Sequence, residues 1–259
     1  MFLFWEGFLT ALLISIGSSA LGVFVVIRRL STIGAGISHL SFASVAIALS
    51  LNLEPTIFSL IIALVSALIL RGLSLRQGIP ADASTAVLFA LGPAIANLLL
   101  AKGDFSPIEL NSILYGSLLQ AQLTDVFISA FICFASLIFI LLFFRALILL
   151  SLSEELAKLK GVKVKAVEYT LSALTGISVA ISIKAVGILL SSSLIVIPSL
   201  AAILMSNSLK RAVLNAIFIA MLSVSLGMFL SIKLDIPPSS AIVGLCVLAL
   251  FFAISLKRL

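Results

Sequence analysis

Charged side chains are scarce in this sequence of 259 residues, of which 10% are charged and 62% are hydrophobic. A water-soluble domain needs more polar surface than this to cover its core. The mean hydropathy of +1.36 therefore predicts that lipid surrounds most of the chain. Since a bilayer core needs about 20 apolar residues per helix, we expect roughly eight to ten spans and no separate soluble domain.

Motifs for hydrolysis and for structural metal sites are also missing. The sequence has no G-x-x-x-x-G-K-[ST] nucleotide loop, no G-x-S-x-G nucleophile elbow and no H-E-x-x-H zinc motif. Its two cysteines, Cys133 and Cys246, stand apart in apolar runs, which argues against a disulfide framework or a zinc module. The chain is therefore predicted not to be an enzyme. If ATP drives transport through it, a separate subunit must hydrolyse that ATP.

Apolar runs separated by charged and Pro- or Gly-containing segments predict an all-α, polytopic transmembrane bundle of about nine spans. The predicted spans are 8–27, 34–51, 56–72, 83–101, 125–148, 166–183, 186–205, 212–231 and 238–256. The sixth and seventh spans are predicted to form a tight hairpin, because one continuous span there would separate Lys163 from Lys210 across the membrane. The whole chain, 1–259, is predicted to be one transmembrane domain.

Basic residues set the predicted orientation. With nine spans, only Lys102, Lys184 and Lys233 of the 16 Lys and Arg fall on one face, and the remaining thirteen fall on the other. Since basic residues accumulate on the cytoplasmic side, we predict an outside N-terminus and a cytoplasmic C-terminus in a prokaryotic plasma membrane. The net charge of +6 is scattered between apolar runs, so nucleic acid is not predicted as a partner.

The segment 150–165, LSLSEELAKLKGVKVK, is the one markedly hydrophilic helical stretch in the sequence. It carries residues suited to the two ends of a helix: Ser153, Glu154, Glu155, Lys158, Lys160 and Gly161. Such capping and charge placement predicts a short cytoplasmic helix near 152–161. A helix of this kind between two spans could form a binding surface for a soluble partner.

The chain has a single histidine, His39, a few residues into the second span. Ionisable residues inside a membrane are costly and usually face a cavity or the bundle interior. His39 is therefore predicted to be functional, on a translocation pathway or in the bundle interior. Imidazole is a good ligand for zinc, iron, manganese or nickel, but a lone one is a weak metal site without further ligands. The alternative is a buried histidine that serves packing.

Hydroxyls, glycine and proline are concentrated in the stretch 186–202, which contains Gly187, Ser192 and Pro198. A proline within a span frees a carbonyl and bends a helix, and such features are tolerated where they line a cavity or pack inside protein. This stretch is predicted to be either a path-lining helix or a structural kink. The segment 91–93, Leu-Gly-Pro, allows the same two interpretations.

Six short patterns follow one another along the chain: Arg28-Arg29-Leu30-Ser31 with Gly34, Ser38 and His39; Asp82-Ala83-Ser84-Thr85-Ala86; Tyr115-Gly116; Glu154-Glu155-Leu156-Ala157 with Gly161-Val162; Val186-Gly187 with Pro198 and Ala201; and Asp235-Ile236-Pro237. In this order and spacing, they resemble the membrane subunits of zinc, manganese and iron ABC importers, the ABC-3 permeases. The resemblance covers essentially the whole chain. It implies a permease that carries a divalent transition metal ion (zinc, manganese or iron) and has no covalently bound cofactor.

The resemblance also implies partners: a second copy that completes a homodimeric pore in the lipid bilayer, two cytoplasmic ABC ATPase subunits and an extracytoplasmic metal-binding protein. The residues Glu154, Glu155, Ala157 and Gly161 would match the coupling helix that fits into the ATPase.

One position departs from the family. Relatives typically read Gly-Asp-x-x-x-His where this sequence reads Gly34-Ala35-Gly-Ile-Ser-His39, so Ala35 replaces a metal-ligating carboxylate. In the homodimer, two His39 side chains would face each other, with Ser38 or Ser41 hydroxyls and water completing a neutral, weak site. Two alternatives remain: an importer permease for a metal chelate or other small solute, and a secondary transporter that needs no ATPase.

Overall fold

A computed structural model describes residues 2–77, 81–101 and 121–257. These described residues form ten α-helices and no strands. The helices are α1 (Phe2–Ile27), α2 (Ser31–Ser50), α3 (Pro55–Gln77), α4 (Ala81–Leu100), α5 (Leu123–Leu152), α6 (Glu154–Leu159), α7 (Val164–Val186), α8 (Ile188–Met205), α9 (Leu209–Leu234) and α10 (Pro238–Lys257).

Nine of these helices coincide with the nine predicted spans, and α6 coincides with the hydrophilic segment. Seven are long and apolar enough to cross a membrane, whereas α4 and α8 contribute the shorter apolar segments Ala83–Leu99 and Leu190–Met205. The prediction of an all-helical bundle is confirmed for the described residues. The count of nine crossings and the orientation of the termini stay predictions, and the motif at Tyr115-Gly116 lies outside the described residues.

Several helices extend past the apolar runs that predicted them. α1 begins six residues before the predicted span 8–27, and α5 extends beyond both ends of 125–148. Hydropathy reports the hydrocarbon core, while helical hydrogen bonding continues through the polar interface on either side. α5 also bends at Phe143, where φ is −103° and ψ is 16°.

The predicted break between the sixth and seventh spans lies at Gly187. This single residue separates α7 from α8, with φ of 86° and ψ of 166°. Its N–H donates to the carbonyl oxygen of Ile183 at 2.8 Å, which completes the last turn of α7. A positive φ strains residues that carry a Cβ, so glycine suits this abrupt connection.

The centre of the bundle is α1, which packs against α5, α7, α8 and α9. Its side chains Leu21 and Phe24 are completely buried. Beside it, α2 packs against α3, α4, α7 and α8. The helix that carries the single histidine therefore lies between α4 and α8.

Large apolar side chains also cover much of the outer surface. On α5, Phe131, Leu141 and Leu142 are strongly exposed, Leu141 at 76%. A water-soluble monomer rarely exposes so continuous an apolar surface. Together with the seven spanning helices, this surface indicates a multi-pass membrane protein.

Candidate functional site

His39 lies on the face of α2 that meets α4. It is half-buried, and its ring centroid is 4.1 Å from that of Phe89, with 59° between the ring planes. Phe89 itself is 49% exposed. The pair therefore lies at the surface of the single chain.

The helices α2 and α4 approach closely because each presents a glycine to the other, Gly36 from α2 and Gly92 from α4. A Cβ on Gly92 would lie 2.3 Å from the carbonyl oxygen of His39, and one on Gly36 would lie 2.5 Å from Thr85 Cγ2. A side chain at Gly92 would force the helices apart. Since α4 continues through Pro93, which has no N–H, the carbonyl of Phe89 also lacks its helical donor.

Ser38 lies on a face of α2 that meets α8. Its Oγ donates to the carbonyl oxygen of Gly34 at 2.8 Å and lies 2.8 Å from Ser191 Oγ. A Cβ built on Gly34 would be 3.8 Å from Ser192 Cβ, which is ordinary van der Waals contact. The structure thus brings Ser38 together with Ser191 and Ser192.

Ser41 is completely buried in α2. Its Oγ has no hydrogen-bond partner within the part of the chain that the structure describes. Ser41 shares this feature with several other buried hydroxyls of the bundle, including Ser18 and Ser136, so it does not single out Ser41 as a site. The predicted role of Ser38 and Ser41 on the pathway stays a prediction.

A single copy of the chain offers few groups that could hold a metal ion. Among residues 2–77, 81–101 and 121–257, no three His, Cys, Asp or Glu side chains come together. Ala35 and His39 are both half-buried and lie one helical turn apart, so they share a face of α2. A carboxylate at position 35 would stand beside the imidazole, but this chain has a methyl group there.

The second predicted path segment, α8, runs from Gly187 through Pro198 without interruption. Pro198 is buried. The next residue, Ser199, places its Oγ 2.6 Å from the carbonyl oxygen of Ile195 and 3.0 Å from that of Ser19 in α1. Ser199, next to the buried proline, therefore lies where α8 packs on α1, whereas Ser192 lies where α8 packs on α2.

The hydrophilic segment forms α6, and its start has the predicted cap. The Ser153 side chain accepts a hydrogen bond from the N–H of Leu156 at 3.4 Å. Glu154 Oε1 lies 2.9 Å from Lys158 Nζ one turn later. That hydrogen bond lowers the pKa of the Glu154 carboxyl from its ordinary value. Glu155, the second acidic residue of the first turn, is exposed.

The end of α6 is a Schellman motif. The N–H groups of Gly161 and Val162 donate to the carbonyl oxygens of Lys158 and Ala157, both at 3.0 Å. Gly161 has φ of 76°, as this motif requires. Ala157 is completely buried, while Leu159 is 83% exposed. A helix is thus present in the predicted segment, with Ala157 anchored in the bundle and Leu159 on its exposed side. Its cytoplasmic location and its contact with an ATPase stay predictions.

Glu168 is a buried carboxylate that the sequence patterns did not single out as a site residue. It is 1% exposed, and its two oxygens lie 2.5 Å from Arg28 Nη2 and 2.5 Å from Arg71 Nη2. The available signal was position: Glu168 and Arg71 fall just inside the ends of the predicted spans 166–183 and 56–72. A charged side chain at the edge of a span is costly unless it is paired or reaches water.

Known proteins match this chain along nearly its whole length. A model of the ABC 3 transport family matches residues 2–258. The chain is 32% identical to the high-affinity zinc uptake system membrane protein ZnuB of Buchnera aphidicola subsp. Schizaphis graminum over 248 residues, 93% of each chain. It is 29% identical to the manganese import system permease protein ScaB of Streptococcus parasanguinis, covering 95% of this chain and 87% of that protein.

Solved structures give the same result. The chain superposes on a chain of PsaBC from Streptococcus pneumoniae, determined in complex with Fab, with a TM-score of 0.83. The two are 27% identical in sequence, and the match covers 96% of this chain and 90% of the other. The likeness therefore includes the bundle as a whole and not a single motif.

Proposed function

The chain belongs to the ABC 3 transport family, and we propose that it is the membrane-spanning permease subunit of an ATP-binding-cassette importer for a divalent transition metal ion. The observation that carries this proposal is the family match along residues 2–258, together with seven helices able to span a membrane. The relatives are named for zinc uptake and manganese import. The chain is a multi-pass protein of the bacterial plasma membrane.

In this proposal, the chain forms the pathway and partners supply the energy and the substrate. The sequence has no nucleotide-binding loop, so two cytoplasmic ABC ATPase subunits would hydrolyse ATP and grip α6. The exposed side chains of Glu155 and Leu159 in α6 are available for such a contact. An extracytoplasmic metal-binding protein would deliver the ion.

A second copy of the chain would complete the pore. His39 and Phe89 lie at the surface of the single chain, and neighbouring apolar side chains of α4, including Val87 and Leu91, are exposed beside them. Two copies packed on this face would bury those side chains and bring two imidazoles together. These two imidazoles, with Ser38 or Ser41 hydroxyls and water, would form a neutral site that binds the ion weakly enough to release it.

We propose zinc or manganese as the ion, and iron as a third candidate. Imidazole suits all three, so His39 does not select one of them. Selectivity would then belong mainly to the metal-binding protein that delivers the ion.

Ala35 supports a second candidate function, an importer permease for a metal chelate or other small solute. The family carboxylate would offset the charge of a partly dehydrated cation, and Ala35 lacks it. A metal already surrounded by a chelator does not need that carboxylate. In this case, His39 would serve packing against Phe89.

Uptake experiments with and without the ATPase test the proposal. The permease is reconstituted in vesicles with its ATPase subunits and metal-binding protein, and the uptake of radiolabelled zinc, manganese and iron is measured. We expect uptake to require ATP and to fall about fivefold or more when Glu154 and Glu155 are both changed to Ala. Lys257→Ala, at an exposed position at the end of α10, is the control and should leave uptake unchanged.

Uptake that continues without ATP would instead identify a secondary transporter. Normal uptake by the Glu154→Ala and Glu155→Ala double variant would remove α6 from the contact with the ATPase.

A further inference from the structure

Arg28 is the centre of a group that we call the charge cluster: Arg28, Arg71, Glu154 and Glu168. Its Nη2 lies 2.5 Å from Glu168 Oε1 in α7 and 3.9 Å from Glu154 Oε2 in α6. Its Nη1 donates to the carbonyl oxygen of Leu150 in α5 at 2.8 Å. Arg71 of α3 lies 2.5 Å from the second oxygen of Glu168. The charge cluster therefore connects α3, α5, α6 and α7.

The charge cluster is buried at Glu168 and Arg71, whose side chains are 1% and 6% exposed. Its other two members reach the surface, with Arg28 at 19% and Glu154 at 38% exposure. Removing one partner from a buried ion pair leaves an uncompensated charge in a medium that solvates it poorly. The positive charges of the two arginines and the negative charges of the two glutamates cancel. We therefore expect these four side chains to stay paired when the surrounding helices move.

Arg28 also lies in the turn between α1 and α2. In this turn, the N–H of Leu30 donates to the carbonyl oxygen of Val25 at 2.9 Å, and Leu30 is buried. α2 begins at the next residue, Ser31, and His39 follows about two helical turns later. Arg28 is thus separated by only two residues from the first residue of α2, so a displacement of Arg28 moves the start of the helix that carries His39.

We propose that Glu168 is a positioning residue for energy coupling. By binding Arg28 and Arg71 together, it makes α6, the α1–α2 turn and the last turns of α3 move as one body. A push on α6 from the ATPase then reaches the helix of His39. This inference rests on the proposed function, in which α6 contacts the ATPase.

The ratio of metal imported to ATP hydrolysed separates coupling from folding. The complete transporter, with its ATPase subunits and metal-binding protein, is reconstituted in vesicles, and both rates are measured with radiolabelled zinc or manganese. In Glu168→Gln, which keeps the shape and removes the charge, we expect ATP hydrolysis within about twofold of wild type and a ratio lower by about tenfold. Glu54→Gln removes an exposed carboxylate just before α3 and should leave the ratio unchanged.

A second variant covers the case in which Glu168→Gln does not fold. Arg71→Leu combined with Glu168→Leu removes one charge of each sign. Replacing a buried ion pair by apolar side chains is often neutral for stability, so this double variant is expected to fold. The ratio of metal imported to ATP hydrolysed should fall in this double variant as much as in Glu168→Gln, because the ion pair between α3 and α7 is absent in both.

Each outcome decides the proposal. If a folded variant keeps the wild-type ratio, whether both rates are unchanged or both fall together, Glu168 serves the fold alone and the proposal is overturned. If the wild-type transporter imports none of zinc, manganese and iron, or imports metal without ATP, the proposed function fails first. That failure is visible in wild-type vesicles without any variant.

Discussion

His39 and Ala35 share one face of α2, and in the proposed function this face supplies the ligands that an ion meets in the pathway. The imidazole rests against Phe89 of α4, and Gly92 allows the two backbones to approach. With a methyl group at position 35, each copy of the proposed homodimer would offer an ion one nitrogen ligand from this face and no carboxylate. This arrangement predicts weak, transient binding, which suits a site that an ion must leave.

Ala35→Asp restores the carboxylate that the family resemblance leads us to expect. An aspartate one turn before His39 would add a charged ligand on the same face. We expect the KM for zinc or manganese uptake to fall by about tenfold, because a second ligand and a negative charge both favour the cation. The measurement is uptake against metal concentration in reconstituted vesicles.

Ala35→Asn has nearly the same shape without the charge and should change the KM much less. An unchanged KM in folded Ala35→Asp would place this face of α2 away from the path of the ion.

Gly92→Ala tests the close contact between α2 and α4. The added Cβ would lie 2.3 Å from the His39 carbonyl oxygen, and backbone cannot move aside as a flexible side chain can. We expect a loss of about 1–3 kcal/mol in the free energy of unfolding, from overpacking. Thermal unfolding in detergent measures it.

Gly244→Ala is the matched control, since a Cβ on this helical glycine meets nothing within 4 Å. Alanine is a better helix former than glycine by up to about 1 kcal/mol, so this variant should be as stable as wild type or slightly more stable. Equal losses in the two variants would contradict the close contact.

At the scale of helices, α6 shows what local sequence can predict. Its cap at Ser153 and its end at Gly161 depend on hydrogen bonds within a few residues, and both are present as predicted. The contact of Gly92 with His39 and the pairing of Arg71 with Glu168 join separate helices. Helical periodicity does not state which helices become neighbours, so these contacts required the structure.

The end of α6 depends on the left-handed backbone of Gly161. Gly161→Ala meets no neighbouring atom, so its cost comes from the positive φ alone, about 1–2 kcal/mol. We expect the N–H groups of Gly161 and Val162 to lose protection as the last turn of α6 frays. Hydrogen exchange of these amides measures the change.

Gly161→Asn is the control, because asparagine tolerates the left-handed region better than alanine. Equal protection in the Ala and Asn variants would show that the Schellman motif does not depend on this backbone conformation.

For the molecule as a whole, composition predicted the bundle and charge predicted its orientation. The bundle is confirmed for the described residues, and seven of its helices can span a membrane. Orientation is a relation between the protein and its membrane, so coordinates of the chain alone do not test it. The charge asymmetry still predicts that α6 and the C-terminus share the cytoplasmic side.

Labelling of single cysteines tests this orientation. Lys163→Cys and Lys233→Cys place thiols at exposed positions predicted to lie in the cytoplasm and outside, respectively. In intact cells, a membrane-impermeant maleimide should label Lys233→Cys, while Lys163→Cys should react after the cells are opened. The native Cys133 and Cys246 are buried and should contribute little background. The reverse pattern would invert the topology.

The central claim is that free divalent metal passes His39 in an ATP-driven pathway. The most direct test is the initial rate of ATP-dependent uptake of free radiolabelled zinc and manganese by the complete transporter, in wild type and in His39→Ala. We predict uptake of at least one of these ions by wild type and a fall of about tenfold or more in the variant, because removing a metal ligand costs at least as much as removing its supporting groups. Intact uptake by folded His39→Ala, or uptake of the metal only as a chelate, would contradict the claim.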